Sequence, residues 1–428
     1  MRETYGASLV VMIGLTCASP ARSADYVVDQ ANSPDHALVI TLALPDHPGQ
    51  SIELSTRAPT MGLKPQIASP KCGSEPLQQE GEGVWIAPNT CKMVAWTVLP
   101  ERVRDSDVDA SSQATRWFSS TGWTLLSEPT SLLRVAGSTQ SLTISVINPQ
   151  TAFGATPIAE NVWRIPSLNN APEFFALGDV ASRSVEVPPL HVRYVADNAA
   201  RVEALGLEPL HERALGFLAG VVGVSQSLPD RERSLLVFWI GVSGAKHQIG
   251  GAAGSRSFIA NYVIGAPQDS AMNSARTVMV LGHEQFHQLT DLVRQNASPL
   301  PTWLGESLAE YYGLKAMRRS FTSSDGQSVW ESVIDPKRPV DVGLLELQRR
   351  FAKGDRNQYR LFYEQGATFW AAVDSALMER GESLDVLIPF LLRSSFSGRN
   401  ELPDNFLLAL KDRIGEKANQ LLEKYVGT

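Results

Sequence analysis

Residues 278–289 read Val-Met-Val-Leu-Gly-His-Glu-Gln-Phe-His-Gln-Leu, and this stretch decides how the second half of the chain is interpreted. Its apolar residues follow a helical period, which predicts a helix over residues 277–293. On a helix, His283 and His287 lie four residues apart and project from one face. Two imidazoles at this spacing can share one metal ion, and Glu284 turns toward the same side.

A second predicted helix, over residues 303–318, carries a carboxylate nineteen residues after His287. The connecting chain is long enough for the two helices to pack antiparallel, which brings Glu306 beside the histidines. Two imidazoles and one carboxylate form an open site, because zinc with three protein ligands keeps a fourth position for water. Zinc lowers the pKa of that water to about 7, so hydroxide becomes available at neutral pH. A structural zinc would use four ligands, usually cysteines.

The pattern His-Glu-x-x-His, eighteen residues, then Glu resembles that of the gluzincin metallopeptidases, in particular the aminopeptidase N and glycyl aminopeptidase families. Here residues 288–305 supply the eighteen. The resemblance implies a thermolysin-like catalytic domain with one zinc ion per chain, held by His283, His287 and Glu306. It also implies peptide hydrolysis, with Glu284 as the general base.

The same families carry a tyrosine in a Tyr-Glu-x-Gly setting on a later helix, and residues 363–366 match that setting. The resemblance therefore implies that the Tyr363 hydroxyl stabilises the oxyanion of the transition state. Glu310 lies where related enzymes keep a carboxylate that accepts a hydrogen bond from a ligating imidazole, and we expect it to orient His283. Asp291, four residues after His287, is a second candidate for such a role.

The glycine-rich segment before the predicted zinc helix departs from the family pattern. Aminopeptidases of these families bind the substrate's free amine with a glutamate near this segment, but residues 234–268 contain no acidic residue. The backbone around Gly251 is expected to pair with an extended peptide as an added strand, and Arg256 to favour an acidic group or a C-terminal carboxylate. Whether cleavage is terminal or internal stays open.

The predicted fold class is α+β, with more than one domain. Short strands separated by Pro and Gly predict a β-sandwich-like domain over residues 25–190. A catalytic domain is predicted over residues 191–428, where a buried strand at 234–240 forms a small sheet at its entry and most of the rest is helical. The helices are predicted at residues 198–222, 277–293, 303–318, 359–378, 384–392 and 406–425.

Residues 1–24 are predicted to be a signal peptide, since an apolar stretch at 7–18 is followed by small residues. Export to the periplasm or to the medium follows, with a lipoprotein through Cys17 as a minor alternative. No later stretch is long enough to cross a membrane as a helix. The two cysteines that remain, Cys72 and Cys91, are predicted to form a disulfide.

The composition is that of a folded protein, with 43% apolar and 19% charged residues. The formal charge of -7 and the lack of any block of Lys and Arg argue against nucleic acid or anionic lipid as partners. A peptide or protein substrate is the expected partner. Two alternatives stay open: an envelope binding protein with a structural zinc, and a zinc hydrolase for a non-peptide substrate.

Overall fold

The computed structural model describes residues 25–427 except 31–34, 47–48, 105–106, 148–150, 244–248, 266–269, 295–296, 322–323 and 397–400. The predicted signal peptide lies outside the described residues. Within the described ranges, none of the helices combines the length and the apolar character that crossing a bilayer requires.

The first part of the chain is built from short strands, two 3-10 turns (Ala58–Met61 and Ala110–Ser112) and one α-helical turn, α1 (Glu128–Ser131), among its described residues. The strands are β1 (Tyr26–Asp29), β2 (Leu38–Ala43), β3 (Ile52–Ser55), β4 (Ala68–Cys72), β5 (Glu75–Pro76), β6 (Gln78–Gly81), β7 (Val84–Ala87), β8 (Met93–Val98), β9 (Glu101–Val103), β10 (Arg116–Phe118), β11 (Trp123–Ser127), β12 (Arg134–Val135), β13 (Leu142–Ile147), β14 (Ala152–Phe153), β15 (Pro157–Ala159), β16 (Val162–Ile165) and β17 (Phe174–Gly178). Most of the longer strands alternate buried and exposed side chains, as half-buried strands do.

Among the described residues these strands form three sheets, ordered β15-β16-β13-β1-β2-β8-β4-β5, β14-β17-β11-β10-β9 and β12-β3-β7-β6. The buried side chains of the first and third sheets form one apolar core together with part of β17. This core includes Trp85 and Trp96. A disulfide joins Cys72 to Cys91, whose Cα atoms are 5.8 Å apart, as the sequence predicts. The sheet-rich character expected for this part of the chain is confirmed.

The remaining strands are β18 (Ser182–Val187), β19 (Leu190–Ala196), β20 (Ser234–Val242), β21 (Gly251–Ala253) and β22 (Ser257–Val263). The α-helices of this part are α2 (Ala199–Ala204), α3 (Leu207–Val222), α4 (Ser270–Val293), α5 (Thr302–Ser320), α6 (Ser324–Val333), α7 (Leu344–Ala352), α8 (Arg360–Met378), α9 (Ile388–Arg393), α10 (Asp404–Ile414) and α11 (Glu416–Leu421), which continues as a π-helical turn over Leu422–Val426. The helical character expected for this part is confirmed too.

The fourth sheet, ordered β18-β19-β20-β22-β21, joins the two parts of the chain. Strand β18 precedes residue 191, so this sheet begins before the predicted start of the catalytic domain. One face of the sheet packs against the sheet that contains β11, where the Trp123 and Phe238 rings stack with centroids 6.1 Å apart. The other face packs against the helices. The short strand β21 lies at the edge of the sheet.

Helices α4 and α5 run antiparallel and touch at two glycines. A Cβ atom on Gly282 would lie 3.0 Å from the Cα atom of Gly313. A Cβ atom on Gly313 would lie 2.7 Å from the backbone nitrogen of His283, closer than real Cβ contacts come. The backbones therefore approach as only glycine allows, and residues beside the crossing on the two helices face each other directly.

Helix α8 approaches α5 in the same way. A Cβ atom on Gly366 would overlap the Cβ atom of Ser307, and Trp370 Nε1 donates a 2.8 Å hydrogen bond to Ser307 Oγ. Tyr311 on α5 donates to Asp374 on α8, so the contact continues in the same direction along both helices. The two helices thus run parallel, and the glycine of the Tyr-Glu-x-Gly sequence sets their distance.

We predict that Gly313→Ala destabilises the chain, because the new methyl group would force α4 and α5 apart. Overpacking of this kind costs about 1–3 kcal/mol of unfolding free energy. Gly220→Ala on α3 is the matched control, since a Cβ atom there meets nothing within 4 Å and alanine favours the helix. Thermal unfolding of both variants tests this, and equal melting temperatures would contradict the predicted role of the crossing.

Candidate metal centre

Three side chains predicted as metal ligands converge at the crossing of α4 and α5. His283 Nε2 lies 3.4 Å from Glu306 Oε2, and His287 Nε2 lies 3.5 Å from the same oxygen. The donor atoms of all three side chains lie within 4.8 Å of one another. His283 is buried, while His287 and Glu306 are partly exposed, so the cluster opens to solvent on one side.

These distances fit a tetrahedral ion. Bonds of about 2.0–2.2 Å from zinc to nitrogen or oxygen place two tetrahedral ligands about 3.3–3.6 Å apart. Both nitrogen-to-oxygen distances, 3.4 and 3.5 Å, fall in that range. Two imidazoles with one carboxylate also form a donor set that suits zinc.

The charges around His283 favour a cation at this position. Burial opposes a charge on the imidazole, but hydrogen bonds to Glu306 and Glu310 and the nearby Glu284 outweigh it and raise the pKa of His283 to about 10. Burial also opposes ionisation of Glu306, but hydrogen bonds from His283 and His287 hold its pKa well below its usual range. The same electrostatics that favour a proton here favour a metal ion in its place.

Two further contacts hold the predicted ligands in position. His283 Nδ1 lies 2.8 Å from Glu310 Oε2, one helical turn beyond Glu306 on α5. The Tyr359 hydroxyl donates a 2.9 Å hydrogen bond to Glu306 Oε1, leaving Oε2 to face the histidines. The sequence predicts the Glu310 contact through the family resemblance. It does not predict the role of Tyr359, although its position one turn before Tyr363 is a signal that both share a face.

Tyr363 lies beside the cluster. Its ring centroid is 5.4 Å from that of His283 and 5.5 Å from that of Tyr359. Burial raises the pKa of Tyr363 well above its usual value, and the charges of Glu306 and Glu284 raise it further. The hydroxyl therefore stays protonated and can donate a hydrogen bond. Glu284 itself is partly exposed and is close enough to influence both Tyr363 and His283.

The residue after Tyr363 has a structural role. Glu364 forms ion pairs with Arg338, from the segment between α6 and α7, and with Arg360 on its own helix. These pairs fix the turn of α8 that carries Tyr363. Together with the close approach of Gly366 to α5, they account for the Glu and Gly positions of the Tyr-Glu-x-Gly sequence in physical terms.

The edge strand β21 is tied to the metal centre through Gln288, the residue after His287. Its Nε2 donates 2.7 Å hydrogen bonds to the backbone oxygens of Gly254, in the turn between β21 and β22, and of Ser257, the first residue of β22. Gly251 belongs to β21 and pairs with Ala260 of β22. The other edge of β21 has no neighbouring strand among the described residues.

A carboxylate from the first part of the chain supports the same turn. Glu173 accepts hydrogen bonds of 2.7 Å from Arg256 N and 2.5 Å from Ser257 Oγ, and its own backbone nitrogen donates to Glu128. Burial raises the pKa of Glu173 from its usual 4.5 to about 7, although the Ser257 hydrogen bond and Arg256 oppose the shift. Sequence reasoning misses Glu173, because it lies 83 residues before Arg256 and only the fold brings the two together.

Arg256 and Asp291 face a small cavity next to the centre. The cavity has a volume of about 250 Å³, and Arg164 and Glu173 also line it. Asp291 lies one turn of α4 beyond His287 and forms no hydrogen bond to it among the described residues. Its expected role in orienting a ligand stays a prediction.

No protein-family model matches the sequence, and no curated protein matches it in sequence. The fold is similar to that in the crystal structure of an aminopeptidase N family protein from Idiomarina loihiensis, with a TM-score of 0.59 and 12% sequence identity. The alignment covers 94% of this chain and 73% of that one. The shared feature is an aminopeptidase N-like α+β fold; at this identity the chemistry must be argued from the chain's own residues.

We predict that Glu310→Gln weakens zinc binding about 10–100-fold while the fold is kept, since the carboxylate orients His283 and makes its imidazole a more basic metal ligand. The exposed Glu423→Gln is the matched control. Competition with a chromophoric chelator measures both affinities. If the two variants bind zinc equally well, Glu310 does not position the ligand.

The Glu173 pKa predicts a pH dependence of stability. The folded chain keeps this proton up to about pH 7 and the unfolded chain loses it near pH 4.5, so between these values the folded state binds more protons. The unfolding free energy therefore falls as the pH rises through this window, by up to roughly 3 kcal/mol from this group.

Glu173→Gln should remove this part of the dependence, because glutamine stays neutral. We expect its stability relative to the parent chain to rise from pH 5 to pH 7, whereas the exposed Glu75→Gln should follow the parent. Urea unfolding at both pH values is the measurement. Parallel curves for Glu173→Gln and the parent would show that this carboxyl does not titrate as predicted.

Proposed function

We propose that the chain is a zinc-dependent peptidase of the gluzincin type, with His283, His287 and Glu306 as metal ligands. The observation that carries the proposal is the convergence of two imidazoles and one carboxylate at distances that suit zinc, with Glu284 and Tyr363 beside them. A structural metal site needs neither a general base nor a hydroxyl at its open side. The aminopeptidase N-like fold adds support for peptidase chemistry.

Zinc in this site would supply a Lewis acid that acidifies water and polarises the substrate carbonyl. Glu284 takes a proton from the attacking water as its oxygen bonds to the carbonyl carbon. The Tyr363 hydroxyl donates a hydrogen bond to the oxygen on which negative charge develops. When the carbon–nitrogen bond breaks, Glu284 returns the proton to the amine nitrogen, so the carboxylate is restored.

Substrate binding is proposed along the free edge of β21. An extended peptide can add to this edge as a further strand, with hydrogen bonds to the backbone around Gly251. Arg256, the last residue of the turn between β21 and β22, is the proposed contact for an acidic group of the substrate. Residues 234–268 carry no acidic side chain that could bind the free amine of a substrate, and Glu173 already accepts a hydrogen bond from the backbone nitrogen of Arg256. The site therefore does not decide between aminopeptidase and endopeptidase activity.

We also propose that the chain is exported and divides into a signal peptide (1–24), a β-sandwich-like domain (25–190) and a catalytic domain (191–428). The Cys72–Cys91 disulfide supports an oxidising compartment, where such bonds persist. The apolar core between β11 and the fourth sheet implies that the two larger parts form a continuous body.

We predict that Glu284→Gln lowers kcat for hydrolysis at least about 10²-fold. The zinc content should be unchanged, because only the proton acceptor is lost. Glu331→Gln on α6 is the control. Mass spectrometry of a mixed peptide library gives the products and shows whether cleavage is terminal or internal. An unchanged rate would rule out Glu284 as the base, and an uncut library with zinc bound would favour the binding protein or a non-peptide substrate.

A further inference from the structure

A large cavity lies away from the metal centre, between α5, α6, α8 and the C-terminal helical segment. Its volume is about 960 Å³, near the upper end of the range for small-molecule sites. Its apolar surface comes from α6 and the residue after it, from α8 and from the C-terminal segment: Trp330, Ile334, Ala371, Ala372, Leu421 and Tyr425.

This cavity is distinct from the proposed active site. Helices α5 and α8 run parallel, and their N-terminal halves carry Glu306 and Tyr363. Their C-terminal halves line the cavity, from Tyr311 onward on α5 and from Thr368 onward on α8. From Glu306 to Lys315, nine residues of helix span about 13 Å. A ligand here would not contact the metal ligands.

The side chains that line the cavity carry more positive than negative charge. Lys315 is neutralised, because its Nζ lies 2.6 Å from both Asp374 and Asp385. Arg318, Lys417 and Lys424 also line the cavity, and none of them has a carboxylate within salt-bridge distance among the described residues. Glu379 is the acidic lining residue that Lys315 does not neutralise. The cavity therefore presents a positive surface on a chain whose formal charge is -7.

Aromatic rings hold two of these cations beside the apolar surface. The Arg318 guanidinium lies 4.6 Å from the ring centroid of Trp330, and the Lys424 ammonium lies 4.6 Å from that of Tyr425. Both rings belong to the cavity wall. An anionic head group near these cations would therefore be next to apolar surface that an attached hydrocarbon chain can cover.

We propose that this cavity binds an anionic amphiphile, with a hydrocarbon chain over Trp330, Ile334 and Ala372 and a carboxylate or phosphate at Arg318, Lys417 and Lys424. Burial of an acyl chain contributes about 0.8 kcal/mol per methylene group, and the cations select the head group. The cations come from α5 and from the C-terminal segment, about one hundred residues apart, so no basic block marks the site in the sequence.

Parinaric acid, a fluorescent C18 fatty acid, is the probe, and the full mature chain is titrated with it. We expect saturable binding at micromolar concentration, displaced by palmitate or by palmitoyl lysophosphatidate and more weakly by hexadecanol. Which of the two anions displaces better distinguishes a carboxylate from a phosphate head group. Displacement by an acidic peptide but not by palmitate would overturn the proposal.

Two kinds of variant test the location. The double variant Lys417→Glu/Lys424→Glu should weaken binding at least about tenfold, and Ala372→Phe should do so by filling the cavity. Lys411→Glu, an exposed residue of α10 outside the cavity, is the control and should bind as the parent does. Absence of saturable binding, or equal binding by the parent and both cavity variants, would show that the cavity is not the site.

Discussion

The antiparallel contact between α4 and α5 at Gly282 and Gly313 is the constraint on which the candidate metal centre depends. The backbones touch there, with no side chain between them. The histidines of α4 therefore reach Glu306 of α5 over 3.4 and 3.5 Å, and Glu310 contacts the far side of His283. A wider crossing would leave two histidines without a third ligand, and the helix spacing alone would define no site.

Other elements are fixed relative to this pair. Because Gly366 has no side chain, α8 packs closely against α5, so that Tyr359 holds one oxygen of Glu306. The ring of Tyr363 then lies beside that of His283. Gln288 joins α4 to the residues between β21 and β22. This places the edge of β21, which has no neighbouring strand among the described residues, next to the helix that carries the histidines. The site thus combines a rigid helical part with a strand edge suited to an extended chain, which is the physical basis for proposing a peptide substrate.

The sequence predicts what depends on local spacing. A helix turns a four-residue separation into a shared face, so the spacing of His283 and His287 is enough to pair them, and the long helices α4, α5 and α8 are predicted from their periods. The sequence analysis does not predict β19 and β22, two of the longer strands of the fourth sheet. The sequence does not predict contacts between residues that are far apart along the chain. Strand β1 pairs with β13, Glu173 contacts the turn at Arg256, and the cations that line the cavity come from helices about one hundred residues apart. The predicted helix over 198–222 is interrupted at Gly206, whose φ of 60° ends α2 before α3 begins. Helices α6 and α7 are short, with ten and nine residues, and the sequence analysis does not predict them, although the buried leucines of α7 follow a helical spacing.

The most direct test of the account is metal analysis of the purified mature chain beside its His283→Ala variant. The account predicts one zinc ion per chain in the parent and almost none in the variant, with similar circular dichroism spectra for both. A parent chain that binds no zinc even after reconstitution, or a variant that retains it fully, would contradict the proposed metal centre and the chemistry built on it.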